Sequence, residues 1–495
     1  MQSTTVSLHT DFLIGPVDER VFGGFLEHLG RAVYEGVYEP KSPHADRDGF
    51  RGDVCAALAR LRMTAMRWPG GNFASGYHWM DGVGPRDHRP TVRDLAWQSL
   101  EPNHFGTDEF IRLCGKMSWT PMVTVNLGTA PPEEARNWVE YCNCPAGTRY
   151  ADLRAENGSA DPFGVKLWCL GNEMDGPWQL GHVPAEQYAI RAQQAAKMMK
   201  DADPSLELIV CGSCGVGLPT YMEWDRTVLD YCWDQVHYLS IHRYVGNPQN
   251  DTPTFLATGR EISRQIENAA SVCRFVQARK HSSKPVRLCF DEWNVWYKSQ
   301  ENDGRGKFAP HLLEEFYNLE DALVVGEFLH TFLQHADVLK IANIAQIVNV
   351  IAPIRTRGDE MMRQTIFHTF EMFSTRREGT ALRTVVSGPT YEAGPHGPVP
   401  FVNASAIAHD ERLHVFLTNR SLEKPADVEI ALTGRSIARL ESGQLLSGDD
   451  PKAANSFEVP DAVVARPFEE ASVSHGNARV QLPPLSLAAL TFELD

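Results

Sequence analysis

Residues 165–178 read VKLWCLGNEMDGPW, in which a mainly apolar stretch of six residues runs into a polar loop. A strand without polar–apolar alternation is typical of a parallel sheet that is covered on both faces. Seven further runs of this kind occur along the chain: Val21–Leu26, Thr64–Trp68, Pro121–Val125, Leu206–Cys211, Val236–Ile241, Val286–Phe290 and Ile344–Val350. Eight alternating units over about 360 residues predict an α/β fold with a (β/α)8 TIM barrel. A doubly wound open sheet stays as the alternative, because the runs alone do not establish closure.

Three of the segments between these runs have helical patterns. They are Ala185–Asp201, Arg260–Lys280 and Leu319–Leu339. Pro184 stands directly before the first of them and Pro204 follows it, which are the expected start and stop signals of a helix. Alternation of helices with apolar runs supports the barrel.

The pattern changes after about residue 380, where short extended stretches are separated by Gly, Pro, Asn and Asp. They predict an all-β, jelly-roll-like sandwich and include His414–Thr418, Ala426–Leu432, Ser436–Leu440, Ala478–Leu482 and Ala488–Leu494. We therefore divide the chain into a catalytic barrel of residues 16–380 and a β-sandwich of residues 381–495. The alternating stretch at residues 6–9 suggests that residues 1–15 contribute a strand to this sandwich.

Composition and charge exclude several classes of partner. The 495 residues include 47 Lys and Arg and 63 Asp and Glu, a formal net charge of −16. A nucleic-acid binder needs a basic surface and a polybasic membrane binder needs clustered cations, so we expect neither partner. The first residues carry no basic, apolar signal sequence, and no stretch of 18 apolar residues occurs, so we expect a cytoplasmic protein. The ten cysteines are interpreted as buried thiols rather than disulfides.

Two glutamates stand where a predicted strand meets a polar loop. Glu173 follows the fourth run and Glu292 follows the seventh, each with Asn and Trp nearby. The active site of a barrel forms at the carboxyl ends of its strands, and glycoside hydrolysis needs a pair of carboxyl groups. The alternative is structural, since strand-end glutamates also cap helices or pair with arginine.

Four motifs in consistent order resemble glycoside hydrolase family 51, the α-L-arabinofuranosidases. They are GFLEHLGRAVY at 24–34, RWPGGNF at 67–73, LGNEMDGPWQ at 170–179 and DEWNVWY at 291–297. The resemblance implies a retaining enzyme with a barrel and a C-terminal sandwich, forming a homo-oligomer, usually a hexamer. It also implies that Glu173 is the general acid/base and Glu292 the nucleophile. The substrate-binding residues that it implies are Glu27, Asn72, Trp97, Asn172, Tyr244, Trp296 and Gln346.

Arg67 is a further candidate from physical reasoning. Glu292 must stay ionised to attack, so a nearby donor is expected to stabilise its charge, and Arg67 lies on the second predicted strand. An ordinary ion pair within the barrel is the alternative. His28, His242 and Asp291 adjoin site residues and are interpreted as positioning or packing residues, while Trp178 either touches the leaving group or covers the rim.

No cofactor or metal is expected. The chain has no HExxH motif, no EF-hand loop and no nucleotide-binding glycine motif. Departures from the family pattern occur at Pro102, His104 and Val245, which we expect near the rim of the pocket. They put the preference for the leaving group in question, and neither linkage preference nor tolerance of branched substrates follows from the sequence.

The sequence thus predicts an exo-acting α-L-arabinofuranosidase that removes terminal residues from arabino-oligosaccharides or arabinoxylo-oligosaccharides by double displacement. A related retaining glycosidase, such as an endo-β-glucanase or β-xylosidase, is the alternative within enzymes, because the same carboxyl pair serves several sugars. The alternative from another class is a sugar-binding barrel without catalytic activity.

Overall fold

The structure is a computed structural model that describes residues 2–298 and 303–495. The strands up to residue 345 are β1 Gln2–Pro16, β2 Gly23–Phe25, β3 Ala65–Trp68, β4 Val92–Arg93, β5 Leu100–Glu101, β6 Thr120–Thr124, β7 Leu167–Leu170, β8 Glu207–Cys211, β9 Tyr238–Val245, β10 Arg287–Val295 and β11 Leu339–Ala345. The later strands are β12 Ile354–Arg357, β13 Glu360–Arg363, β14 Thr380–Ser387, β15 Thr390–Glu392, β16 Pro398–Pro400, β17 Val402–His409, β18 Arg412–Asn419, β19 Ala426–Thr433, β20 Ile437–Ser447, β21 Arg466–Pro467, β22 Ala471–Ser474, β23 Asn477–Leu482 and β24 Ser486–Leu494. The α-helices are α1 Gly52–Arg60, α2 Thr107–Met117, α3 Pro132–Asn143, α4 Arg149–Glu156, α5 Ala185–Ala202, α6 Glu223–Cys232, α7 Thr252–Phe255, α8 Gly259–Arg279, α9 Leu319–Gln334 and α10 Thr365–Ser374.

Eight parallel strands close into a barrel in the order β2-β3-β6-β7-β8-β9-β10-β11. The predicted TIM barrel is confirmed, and the open-sheet alternative is wrong. Strand β7 is buried along its whole length, as its unbroken apolar sequence predicts. One cluster of buried side chains inside the barrel comes from the six neighbouring strands β6 to β11. It consists of Met122, Leu167, Cys169, Ile209, Tyr238, Cys289 and Ile341.

The eighth strand lies earlier than the sequence predicted. Strand β11 covers Leu339–Ala345, whereas the predicted run was Ile344–Val350, and helix α9 ends at Gln334 rather than at residue 339. The polar residues Lys340 and Asn343 obscured the strand. Asn343 nevertheless belongs inside it, because its Nδ2 donates to the carbonyl of Gly24 on β2 at 2.9 Å.

Strands β9 and β10 extend further than predicted, so the polar segment around Glu292 is strand rather than loop. The carboxylate of Glu292 faces inward. In the pairing of β10 with β9, Glu292 lies opposite His242. A run of polar residues is stable there because buried partners satisfy their side chains, as described below.

The second β structure is a ten-stranded sheet around its own apolar core. Strand β1 lies between β14, to which it is antiparallel, and β19, to which it is parallel. Strand β20 near one end of the sheet contacts β22 at the other end, so the sheet folds over the core as a sandwich. The exact division of the chain at residue 380 stays a proposal.

Helices α9 and α10 join the barrel to the sandwich. The rings of Phe373 on α10 and Phe416 on β18 stack with centroids 4.0 Å apart, and buried Glu327 on α9 pairs with Arg420. All ten cysteines lie in the described ranges and are free thiols, eight of them buried. Within the part of the chain that the structure describes, no helix is long and apolar enough to cross a membrane.

Candidate active site

The ten candidate site residues gather at the carboxyl end of the barrel. This follows from the topology, because all eight strands are parallel and end at the same rim. They come from strands β3, β9 and β10 and from the segments after β2, β3, β4, β7, β10 and β11: Glu27, Arg67, Asn72, Trp97, Asn172, Glu173, Tyr244, Glu292, Trp296 and Gln346.

Arg67 connects three acceptors at the centre of this end. Its Nη1 donates to Oε1 of Glu292 at 2.6 Å and its Nη2 to Oδ1 of Asn172 at 2.7 Å. Its Nε lies 3.1 Å from Oδ2 of Asp291. The side chain is 1% exposed, and its guanidinium lies over the ring of Phe25 on β2 at 4.6 Å. Both interpretations of Arg67 therefore hold. It forms a buried ion pair with Asp291 inside the barrel, and it donates to Glu292.

Glu292 accepts a donor on each oxygen. Besides Arg67 on Oε1, the hydroxyl of Tyr244 donates to Oε2 at 2.9 Å. These donors fix the orientation of the carboxylate. A carboxylate that is buried and held on two sides suits attack on an electrophilic carbon.

Glu173 stands three residues beyond β7 in a left-handed backbone conformation, with φ of 43°. Its Oε1 lies 2.9 Å from Nδ1 of His242, and its Oε2 accepts from Nε1 of Trp178 at 2.7 Å. A carboxylate oxygen of Glu173 and one of Glu292 lie within 4.8 Å of each other. Retaining glycosidases hold their carboxyl groups about 5–5.5 Å apart and inverting ones about 6.5–9.5 Å, so this spacing favours retention.

His242 lies between the carboxylates. Its Nδ1 faces Glu173, and its Nε2 lies 3.3 Å from Oδ1 of Asp291, which also accepts from the hydroxyl of Ser240. Although burial opposes a charge on this ring, Glu292 and Asp291 raise the pKa of His242 well above its ordinary value. Burial likewise opposes ionisation of Asp291. The charges of Arg67 and His242 nevertheless lower the pKa of Asp291 to about 2.

The same contacts argue against a metal centre at this position. Glu173, His242 and Glu292 present possible ligand atoms within 4.8 Å of one another. A histidine binds a metal as the neutral imidazole, whereas the neighbouring carboxylates raise the pKa of this ring and so favour its protonated form. The arrangement therefore fits carboxylate chemistry.

Glu27 forms a second polar group beside the first. Its Oε1 accepts from the backbone N–H of Phe73 at 3.0 Å and from Nε1 of Trp97 at 3.1 Å. Its Oε2 accepts from Nε2 of Gln346 at 3.3 Å. Burial, followed by the charge of Glu292, raises the pKa of Glu27 to about 8. Glu27 is therefore largely protonated at neutral pH.

Two amides and two indoles complete the site. Nδ2 of Asn172 donates to Oδ1 of Asn72 at 3.3 Å, which joins Asn72 to the group around Arg67. Trp97 and Trp296 line a cavity of about 470 Å³ at the mouth, and the ring of Trp296 meets that of Tyr244 edge-on. The structure thus brings all ten candidates together.

Of the residues that depart from the family pattern, Val245 ends β9 beside the mouth, where its carbonyl accepts from the backbone N–H of Trp296 at 2.9 Å. Pro102 and Val245 are buried and His104 is exposed, and none of the three lines the cavity at the mouth.

The sequence alone indicated only positioning or packing roles for His242 and Asp291 and left two roles open for Trp178. In the structure all three contact the central groups. The available signal was position, since His242 lies two residues from Tyr244, Asp291 one from Glu292, and Trp178 in the same motif as Glu173.

Replacement of Glu27 by glutamine tests the raised pKa. Between pH 4.5 and about 8 the folded protein retains a proton on Glu27 that the unfolded chain releases, so stability falls as pH rises. Glu27→Gln removes this loss. In urea denaturation, the unfolding free energy of Glu27→Gln minus that of wild type is expected to increase from pH 5 to pH 8. The increase should be up to about 1.4 kcal/mol per pH unit.

The matched control is Glu186→Gln on the exposed face of α5, which should follow wild type at every pH. A constant difference between Glu27→Gln and wild type across this range would contradict the assignment of a neutral Glu27.

Comparison with known proteins agrees with this geometry. The sequence profile of the α-L-arabinofuranosidase 1 domain matches residues 57–254, and that of the α-L-arabinofuranosidase C-terminal domain matches residues 291–486. The intracellular exo-α-(1→5)-L-arabinofuranosidase 1 of Bacillus subtilis is 44% identical over 492 residues, 98% of each chain. An exo-α-(1→6)-L-arabinofuranosidase of Bifidobacterium longum is 42% identical and covers 99% of this chain and 97% of its own.

The solved structures agree as well. A family 51 α-L-arabinofuranosidase from Bifidobacterium longum superposes with a TM-score of 0.95 at 37% identity, covering 100% of both chains. Similarity of this extent in sequence and structure shows the family. The chain belongs to the α-L-arabinofuranosidases of glycoside hydrolase family 51.

Proposed function

We propose that the chain is a retaining exo-α-L-arabinofuranosidase that releases terminal non-reducing arabinofuranosyl residues by double displacement. The observation that carries the proposal is the approach of Glu173 and Glu292 to within 4.8 Å, with Glu292 held by Arg67 and Tyr244. An inverting enzyme needs room for a water molecule between the sugar and the carboxylate base. The spacing found here is too short for that water molecule.

In the first step, Oε of Glu292 attacks the anomeric carbon while Glu173 protonates the oxygen of the departing group. The bond to the leaving oxygen breaks as the bond to Glu292 forms, which gives a covalent glycosyl–enzyme ester. Arg67 and Tyr244 orient the attacking carboxylate. Formation of the ester removes its charge from the centre of the site.

In the second step, Glu173 accepts a proton from a water molecule that attacks the same carbon and expels Glu292. Two displacements on one carbon restore the original configuration. His242, held on its other side by Asp291, orients Glu173 for this step.

The surrounding polar groups suit a small sugar with several hydroxyl groups. Glu27, as a neutral acid, offers a donor as well as an acceptor, and Asn72, Asn172 and Gln346 offer amides close by. The indole walls of Trp97 and Trp296 at the mouth provide apolar surface for the C–H faces of sugar rings. A pocket with such walls supports removal of single end residues.

The substrate and compartment proposed here follow the relatives. We propose arabino-oligosaccharides or arabinoxylo-oligosaccharides as substrates and a cytoplasmic location, since the Bacillus subtilis relative is named intracellular. That relative is named for a 1→5 linkage and the Bifidobacterium longum relative for a 1→6 linkage, so the linkage is left open. We also propose that the protein forms a homo-oligomer, a hexamer on the family resemblance. A particle mass of about 55 kDa in light scattering, the mass of one chain, would contradict this proposal.

Replacement of the two glutamates tests the mechanism. Glu292→Ala is expected to lower kcat/KM for 4-nitrophenyl α-L-arabinofuranoside by more than about 10³-fold, because no nucleophile remains. Glu173→Ala should lower it far more, by about 10²–10⁴-fold, for an alkyl leaving group than for 4-nitrophenol, which needs no protonation. Azide should restore part of the Glu173→Ala rate.

Glu186→Ala, exposed on α5, is the control and should keep wild-type rates. Near-normal activity of Glu292→Ala would overturn the assignment of the nucleophile, and binding without turnover by wild type would favour a sugar-binding barrel.

A panel of aryl glycosides tests the sugar. We expect kcat/KM for the α-L-arabinofuranoside to exceed that for β-D-xylopyranoside and β-D-glucopyranoside, because Glu27 and its partners Gln346 and Trp97 bring their polar groups close together, as a small ring requires. Linkage-defined arabino-oligosaccharides then rank the linkages. A preference for a pyranoside would favour the β-xylosidase or glucanase alternative.

A further inference from the structure

Trp97 is carried by the short loop that joins β4 to β5, and its indole reaches into the site. The indole N–H donates to Oε1 of Glu27 at 3.1 Å, and the ring lines the cavity at the mouth. The loop consists only of residues 94–99, between two paired strands. The position of this indole wall is therefore set by how the backbone of the loop is held.

Asp94, the first residue of the loop, holds that backbone through its buried carboxylate. It is 6% exposed, and its Oδ2 accepts the backbone N–H of Trp97 at 2.7 Å, while its Oδ1 accepts that of Ala96 at 3.0 Å. Its own N–H donates to the carbonyl of Ser99 at 3.0 Å, which closes the loop. One carboxylate thus fixes the peptide group from which the indole projects.

The loop also contains a strained residue. Gln98, directly after Trp97, has a left-handed backbone with φ of 59°, which is unfavourable for a residue with a side chain. The N–H of Gly306 in the neighbouring segment donates to the carbonyl of Gln98 at 2.9 Å. Such a conformation persists only where surrounding contacts enforce it, so loss of both acceptors on Asp94 should release the loop.

The base of the hairpin is anchored independently of Asp94. Glu101 at the end of β5 is buried, with its Oε2 2.8 Å from Nδ1 of His28 and its Oε1 accepting from the hydroxyl of Tyr34. Nε2 of the same histidine accepts from Nε1 of Trp68 on β3 at 3.1 Å. Substitution of Asp94 is therefore expected to free the loop while the hairpin stays attached to the barrel.

We propose that Asp94 is a positioning residue that acts through Trp97, because its carboxylate keeps the indole in place beside Glu27 before the sugar binds. The inference rests on the proposed function, since it takes the terminal arabinofuranosyl residue as the group that docks against this wall. A wall that is already in place needs no ordering when the substrate binds. A released loop lowers the apparent affinity in proportion to the fraction of molecules whose indole is correctly placed.

A double-mutant cycle separates this role from a merely structural one. Burial raises the pKa of Asp94 to about 6, so the assay is run near pH 7, where the carboxyl group is mostly ionised. Asp94→Ala is expected to lower kcat/KM for 4-nitrophenyl α-L-arabinofuranoside by about tenfold and kcat by less than about twofold, because bound sugar restores the loop. In a Trp97→Ala background, which has no indole to position, Asp94→Ala should lower kcat/KM by less than about twofold further.

The same cycle with Asp94→Asn keeps the test valid if Asp94→Ala does not fold. Asparagine has nearly the same volume and retains one oxygen acceptor, so the loss of kcat/KM should be smaller and should again disappear in the Trp97→Ala background. The control is Asp87→Ala, an aspartate before β4 whose side chain is 83% exposed, which should keep wild-type kinetics.

The position of the indole is measured directly by ¹⁹F NMR of protein labelled with 5-fluorotryptophan. The signal that is missing from Trp97→Phe identifies Trp97. In Asp94→Ala this signal should shift or broaden, while that of a distant tryptophan such as Trp224 on α6 stays in place.

Wild-type kcat/KM in Asp94→Ala, or an equal loss with and without the indole, would overturn the inference. An unchanged Trp97 signal in Asp94→Ala would overturn it as well. Failure of the proposed function is a different result, in which wild type itself does not hydrolyse the arabinofuranoside although the ¹⁹F signal of Trp97 still depends on Asp94.

Discussion

The site depends on how buried negative charge is compensated at one end of the barrel. Asp291, Glu292 and Glu27 are all buried there, and isolated charges in such surroundings cost several kcal/mol each. Arg67 provides a fixed positive charge that reaches both Asp291 and Glu292, and His242 provides a second one between Asp291 and Glu173. The amide of Asn172 is oriented by the same guanidinium.

The two cations are distributed unevenly, and this separates the functions of the carboxyl groups. Asp291 contacts both of them and its pKa falls to about 2, whereas Glu27 contacts neither and its pKa rises to about 8. Negative charge is thereby concentrated beside the proposed nucleophile, while Glu27 stays neutral for contacts with hydroxyl groups. Carboxyl groups of the same type are thus given different roles by their neighbours.

Much of the fold was predictable because buried parallel strands need apolar residues along their whole length. Prediction failed where polar side chains enter a strand, as with Lys340 and Asn343 in β11 and with the polar segment of β10. Burial of those polar side chains requires partners on other strands, such as the carbonyl of Gly24. The local sequence pattern does not indicate such partners.

The candidate site divides in the same way. Glu173 and Glu292 were predictable from their places at strand ends and from the family motifs. The contacts of His242 with Asp291 and of Trp178 with Glu173 were not, because they depend on side-chain directions across the rim of the barrel.

The central claim is that two carboxyl groups this close act by double displacement. The most direct measurement is proton NMR of the first product formed from 4-nitrophenyl α-L-arabinofuranoside in the presence of methanol, before the free sugar mutarotates. The account predicts methyl α-L-arabinofuranoside as the initial transfer product, with the configuration retained. Release of the β-configured sugar as the first product, without any methyl glycoside, would contradict it.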